Sequence, residues 1–253
     1  MESNTTLNPF EDFESSLEQT VKVSVSDAEK ELITQSEREK RWKQRRLGKI
    51  TSSALDDLFN FDKSGHIKTK KGIDYLLELA HQIDTGYPPE ETFAKAFEWG
   101  KNYEEEALDY YNQITGKKMI SGTYGFYEIL FIDDVIEGFG DSPDGITEDG
   151  KGRLEIKCPY NGPNHLRNCA ENVFHDGNDY YRQVMGHLID PRAEWCDFMS
   201  YDPRYPDGHP FKAKILRVYR KDVENVLDDM KIKIERWVNM LNNSDINTII
   251  NEA

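Results

Sequence analysis

The sequence predicts an α+β fold, a mixed central β-sheet flanked by helices, and three observations point there. Apolar residues recur at helical spacing in several long segments, and aromatic and β-branched runs bounded by turn residues lie between them. Neither an internal repeat nor a second core is visible along the 253 residues. Hydrophobic residues make up 37% and aromatics 11%, enough for one core and too many for a fully disordered chain.

Residues 1 to about 36 are polar and acidic without a sustained period, and read as a mobile arm. The basic cluster Lys40, Arg41, Lys43, Arg45 and Arg46 follows, interrupted by Trp42. Thr51-Ser52-Ser53 ahead of Ala54, Leu55, Leu58 and Phe59 has the pattern of a capped helix start. The spacing of Ile73, Leu76, Leu77, Ala80 and Ile83 predicts a helix over 72–84, stopped by Gly86. Tyr103, Ala107, Tyr110, Tyr111 and Ile114 predict another over about 94–115, stopped by Gly116. Residues 123–132 and 135–140 read as a β-hairpin, and Arg153–Cys158 as a strand ended by Pro159. A helix near 178–189 stops at Pro191, and strands are expected over about 193–201 and 211–219. A last helix over about 220–242 has Val223, Val226, Leu227, Met230, Ile234, Trp237, Val238 and Leu241 on its apolar face. The expected organisation is an acidic arm over 1–36, one domain over 37–245 and a tail over 246–253.

No apolar run approaches the ~18 residues that span a bilayer, so no membrane association is expected. The N-terminal residues lack a basic segment followed by an apolar one, so no secretory signal is read there. Three cysteines, Cys158, Cys169 and Cys196, are an odd and widely spaced set. They argue against a disulfide framework and fit a reducing, cytoplasmic setting. The net charge of −15 opposes DNA binding at first sight. Affinity for DNA depends on local placement of basic residues, however, so overall charge leaves that question open.

The chemistry is concentrated in Asp141-Ser142-Pro143-Asp144-Gly145 followed by Leu154-Glu155-Ile156-Lys157-Cys158-Pro159. A turn carboxylate precedes a strand that offers Glu155 and Lys157 on one face, because strand side chains alternate. Two carboxylates converging there suit a hard cation such as Mg²⁺ or Mn²⁺. The lysine stands where it can orient or help deprotonate an attacking water. Phosphodiester cleavage needs this combination: the anionic phosphate must be neutralised and water made a better nucleophile, tasks a metal ion performs and a second ion extends. Glu104, on the inward side of the 94–115 helix with Ala107, Leu108 and Tyr111, is a second carboxylate source, whereas Glu105 faces solvent. Taken alone, an Asp…Glu-x-Lys pattern also fits a surface turn beside a salt-bridged strand. Two charges within an otherwise apolar run are costly unless paired or metal-bound, which favours the functional reading. The six histidines are read as structural or solvated, with His81 and His187 on helices and the rest in loops.

Several ordered blocks give the chain a resemblance to the lambda exonuclease family, the YqaJ-type viral recombinases, within the PD-(D/E)xK nucleases. The similarity runs roughly from Arg41 to Leu241. It rests on Arg46-Leu47-Gly48-Lys49-Ile50-Thr51-Ser52-Ser53, Trp99-Gly100-Lys101-Asn102-Tyr103-Glu104, Ser142-Pro143-Asp144-Gly145, Leu154–Pro159, Gln183-Val184 and Tyr201-Asp202-Pro203-Arg204. The resemblance implies a restriction-endonuclease-like core and a 5′-to-3′ exonuclease on double-stranded DNA ends that leaves 3′ tails for a single-strand annealing protein. It implies Asp144, Glu155 and the Ile156 carbonyl as metal ligands, with Glu104 supporting a second ion. Lys157 and Gln183 would position the water. Arg46, Ser53 and Ser142 would receive the terminal 5′-phosphate, and Phe97 would be an apolar wedge if it is not core. Family members commonly form a homotrimeric ring around DNA, so that assembly is expected too. The acidic arm at 1–36 and the segment 64–71 have no counterpart in the family pattern, and the stretch Asn168 to Asp179 departs from it. An endonuclease on the same catalytic core and a non-catalytic DNA-binding subunit remain the competing classes.

Overall fold

A basic helix, a layered sheet and a helical cap together carry the architecture, seen in a computed structural model that describes residues 35–63, 65–88, 95–121, 131–175, 177–178, 180–243 and 246–252. Helix α1 (Gln35–Arg46) ends on Lys43, Arg45 and Arg46, which complement the negative end of its dipole. Residues from Lys40 onward form one compact unit. Residues 1–34 of the expected arm lie outside the described residues, and 35–36 already belong to α1.

After β1 (Ile50–Thr51), a 3-10 turn at Ser52–Ala54 leads into the short helix α2 (Leu55–Leu58). The expected cap does not form there: no side chain bonds the open amides of either segment. The Ser52 hydroxyl goes instead to Asp141, a tertiary partner that outcompetes the local one. Helix α3 (Lys70–Thr85) is capped by Thr69, whose Oγ1 accepts from the Gly72 amide, and ends at Gly86 with φ 73°. Helix α4 (Lys95–Thr115) follows the predicted register, burying Ala107, Leu108 and Tyr111.

The strands are β2 (Met119–Ser121), β3 (Phe131–Ile132), β4 (Phe139–Asp141), β5 (Gly145–Thr147), β6 (Gly152–Lys157), β7 (Trp195–Tyr201) and β8 (Ala213–Tyr219). Those at 2, 5, 6, 7 and 8 form one sheet in that order, with β6 and β7 parallel and the other neighbours antiparallel. A smaller sheet has the order β1-β4-β3. Most of the expected hairpin arm 123–132 lies outside the described residues; its end pairs with β4, as a hairpin requires. Helices α5 (Gly162–Ala170), α6 (Tyr181–His187), α7 (Glu224–Asn242) and α8 (Ile246–Glu252) complete the chain. The expected tail is thus helical, with Ile249 fully buried beside α3.

Alternation splits the core across the larger sheet. Leu154, Ile156, Met199 and Tyr201 meet Ala107, Leu108 and Tyr111 of α4 on one face. Cys196 and Phe198 join α2, α3, α6 and α7 on the other. In β6, Arg153, Glu155 and Lys157 register with Cys196, Phe198 and Ser200, so the charged residues face α6. All three cysteines are free, Cys158 and Cys196 buried and Cys169 partly so. No helix among the described residues is long and apolar enough to cross a membrane.

Candidate active site

Glu155, 1% exposed, is the centre of the site. Lys157 lies on the same face two residues on and donates to Glu155 Oε1. Asp144, in the turn between β4 and β5, accepts from the Ile156 amide at 2.6 Å through Oδ2. That bond fixes the turn carboxylate against the middle of β6 and leaves the Ile156 carbonyl on the same strand. Glu104, half-buried on α4, is near enough to act on Asp144 electrostatically, while Glu105 is exposed, as its helical phase requires.

The electrostatics follow from crowding. Burial pushes the Asp144 carboxyl well above the carboxylate range, and repulsion from Glu155 and Glu104 adds to it, against Lys157 and the Ile156 amide. For Glu155, burial works the same way, but Lys157 and His187 outweigh it and hold this carboxyl low. Burial opposes the Lys157 ammonium as well, yet Glu155 and Asp144 outweigh it and push its pKa up. Lys157 is therefore held as a cation beside Glu155 and Asp144, placed to orient and donate. Burial pushes the Cys158 thiol up, with Glu104 and Asp144 adding, so it is no nucleophile.

Among the described residues, no group of three or more His, Cys, Asp or Glu stands in a ready metal cage. Both Glu155 oxygens are engaged, Oε1 by Lys157 and Oε2 by His187. The donor set nevertheless fits a hard divalent ion. Asp144, Glu155 and the Ile156 carbonyl are oxygen donors, and the excess negative charge that raises Asp144 is what a cation relieves.

A second cluster forms at α1 and the 3-10 turn. Arg46 Nη2 donates to Ser53 Oγ at 3.3 Å, and its guanidinium lies 3.9 Å from the Trp42 ring centroid. Trp42 Nε1 in turn donates to Ser142 Oγ at 3.2 Å. Ser142, about a hundred residues away in sequence, is thus brought through the Trp42 indole to Arg46 and Ser53. Burial pulls the Arg46 guanidinium below its usual pKa, against Tyr75 and Asp141, so an added anion there would be favourable. Gln183 is half-buried on α6, one turn before His187. Phe97 is 66% exposed on the first turn of α4, so it is not core.

A profile of the YqaJ-like viral recombinase domain matches residues 41–189, more than half of the chain. The chain belongs to the YqaJ-like viral recombinase family. No curated protein matches it. Among solved structures, the alkaline exonuclease LHK-Exo from Laribacter hongkongensis is 27% identical with a TM-score of 0.66, covering 84% of this chain and 97% of that one. The same exonuclease in complex with dAMP is 28% identical at a TM-score of 0.67, with the same coverage. A phage-related exonuclease from Haemophilus somnus 129PT shares the fold at 14% identity and a TM-score of 0.55, covering 77% of this chain and 95% of that one. The recombinase domain therefore has the α+β fold expected of it, and family and fold make the chain a nuclease of the exonuclease and recombination kind.

Sequence reasoning missed three residues of this site in the recombinase. His187 is fully buried, with Nδ1 2.6 Å from Asp141 Oδ1 and Nε2 2.7 Å from Glu155 Oε2. Two acceptor-only neighbours make both ring nitrogens donors; burial opposes that charge, but Asp141 and Glu155 outweigh it and raise the pKa to about 10. The nearest sequence signals were its position four residues after Gln183 and the acidic Asp141 in the block already singled out. Asp141 is the second, as the shared acceptor of His187 and Ser52, and Ser52 is the third. His165, expected in a loop, lies buried on α5 between Ser200 Oγ and the Phe211 carbonyl.

Gly186 lets α6 approach the Ser52 turn. A Cβ there would lie 2.8 Å from Ser52 Cβ and 2.9 Å from Leu55 Cδ1. Gly186→Ala is expected to cost about 1–3 kcal/mol by overpacking. Chemical denaturation reads this as a lower midpoint, and an unchanged midpoint would show that α6 can shift freely.

Proposed function

We propose that this protein is a metal-dependent 5′-to-3′ exonuclease on double-stranded DNA, leaving 3′ tails for a single-strand annealing protein. The observation that carries this reading is the convergence of Asp144, Glu104, Glu155 and Lys157 at the C-terminal end of β6. Asp144, Glu155 and the Ile156 carbonyl would hold Mg²⁺ or Mn²⁺, with Glu104 placed for a second ion. When bound, a divalent cation supplies the charge that neutralises the phosphate and acidifies the attacking water.

The protein's own groups do the rest. Lys157, held cationic, donates to the water or to a non-bridging phosphate oxygen and so fixes the line of attack. Gln183, on the helix facing β6, adds an amide that can orient the same water. Arg46 presents a planar fork, and Ser53 and Ser142 add hydroxyls, a combination suited to a terminal phosphate dianion. Seating the 5′-phosphate there sets which phosphodiester meets the carboxylates, which is how polarity would arise. The dAMP bound to a relative supports a reaction that handles single nucleotides.

The test is a linear duplex labelled at the 5′ or the 3′ end of one strand. In Mg²⁺ the 5′ label should be released early and the 3′ label late, and a chelator should stop both. Early release of the 3′ label, or digestion in the chelator, overturns the proposal.

A further inference from the structure

Beneath the two clusters runs one buried chain of hydrogen bonds. Ser52 Oγ donates to Asp141 Oδ1 at 2.5 Å, and the same oxygen accepts from His187 Nδ1 at 2.6 Å. His187 Nε2 then donates to Glu155 Oε2 at 2.7 Å, and Lys157 holds the other Glu155 oxygen. Ser52, Asp141, Glu155 and His187 are each at most 4% exposed. The ends of the chain are informative. Ser52 is covalently joined to Ser53, and Asp141 to Ser142, the two hydroxyl residues around Trp42 and Arg46. The opposite end is the central carboxylate of the catalytic cluster.

A ring between two carboxylates is not what space-filling requires. Desolvating three ionisable groups is costly, and apolar residues of similar volume in place of all three would pack there without that penalty. What the ring adds is direction. Its two nitrogens point in opposite senses, so the orientation of Glu155 is tied to the position of Asp141, and Asp141 is tied to the Ser52 turn. The Asp141 backbone is also pinned, since β4 pairs with β1 just before that turn.

We propose that His187 is a positioning residue that holds Glu155 against the same Asp141 that supports the Ser53–Ser142 cluster, so that end recognition and catalytic carboxylates move as one unit. This rests on the reading of both clusters given above. Its consequence is that a change at the Ser52 end is felt at Glu155, and a change at His187 is felt in the choice of DNA end.

His187→Gln and Ser52→Ala test it with two measurements each. One is the ratio of digestion rates on 5′-phosphorylated and 5′-hydroxyl duplexes. The other is the affinity of the DNA-free protein for Mn²⁺, by titration calorimetry. The expected result is a fall in the ratio for both variants, with Mn²⁺ affinity about 10–100-fold weaker in His187→Gln, the range usual for groups that support a metal ligand. A merely structural histidine would slow both substrates alike, so an unchanged ratio in both variants overturns the proposal. If His187→Gln fails to fold, Ser52→Ala decides alone, because it removes only one hydroxyl. If the wild-type ratio is one, the end pocket itself is wrong. The coupling is then judged on Ser52→Ala: weakened Mn²⁺ binding supports it, and unchanged binding overturns it.

Discussion

Lys157→Ala is expected to lose cleavage by about 10²–10³-fold on every duplex end, the usual scale for removing one preorganised donor that stabilises charge in a transition state. The variant should stay folded, because Lys157 is 28% exposed and Glu155 keeps His187 as a partner. The loss comes from two sources. The ammonium that would meet the phosphate or the water disappears, and Asp144 and Glu155 lose a cation that offsets their repulsion. The check is single-turnover digestion by purified protein whose circular dichroism matches wild type. Digestion at the wild-type rate would sink the site assignment. Asp144→Asn should also abolish activity and raise the metal concentration required. The asparagine amide cannot replace a carboxylate toward a cation, although its carbonyl can still accept from the Ile156 amide.

Arg46→Ala is expected to lower the preference for 5′-phosphorylated ends by about 10–100-fold, since bonds to a charged group contribute about 1.5–3 kcal/mol each. The guanidinium stacked on Trp42 supplies positive charge to the cluster with Ser53 and Ser142. Rates on 5′-hydroxyl ends should change far less. Parallel digestion of the two substrates reads the effect directly, and equal losses on both would reject Arg46 as a phosphate ligand.

Periodicity made much of this fold legible. The α4 and α7 helices repeat apolar residues at 3.6-residue spacing over many turns, so their faces and their ends could be read within a few positions. Strand alternation alone put Glu155 and Lys157 on one side of β6, and helical phase alone separated Glu104 from Glu105. Short elements were less legible. β2 and β5 have three residues each, too few to establish a period, and β5 begins at Gly145, which read as part of a turn. α5, which opens on Gly162 with proline in its first turn, was not anticipated from the sequence. The polar α1 lacks an apolar stripe and read only as a basic cluster. His187 was illegible for another reason: its partners lie 46 and 32 residues away, so its role exists only in the tertiary structure.

The most direct test of the central claim compares closed circular plasmid with the same plasmid linearised and carrying 5′-phosphates, both in Mg²⁺. The account predicts that the linear form is degraded progressively and the circle survives, since cleavage starts from a DNA end, fastest where a terminal phosphate is seated near Arg46. Cutting of the closed circle would contradict it, leaving the carboxylate cluster as an endonuclease centre that needs no DNA end.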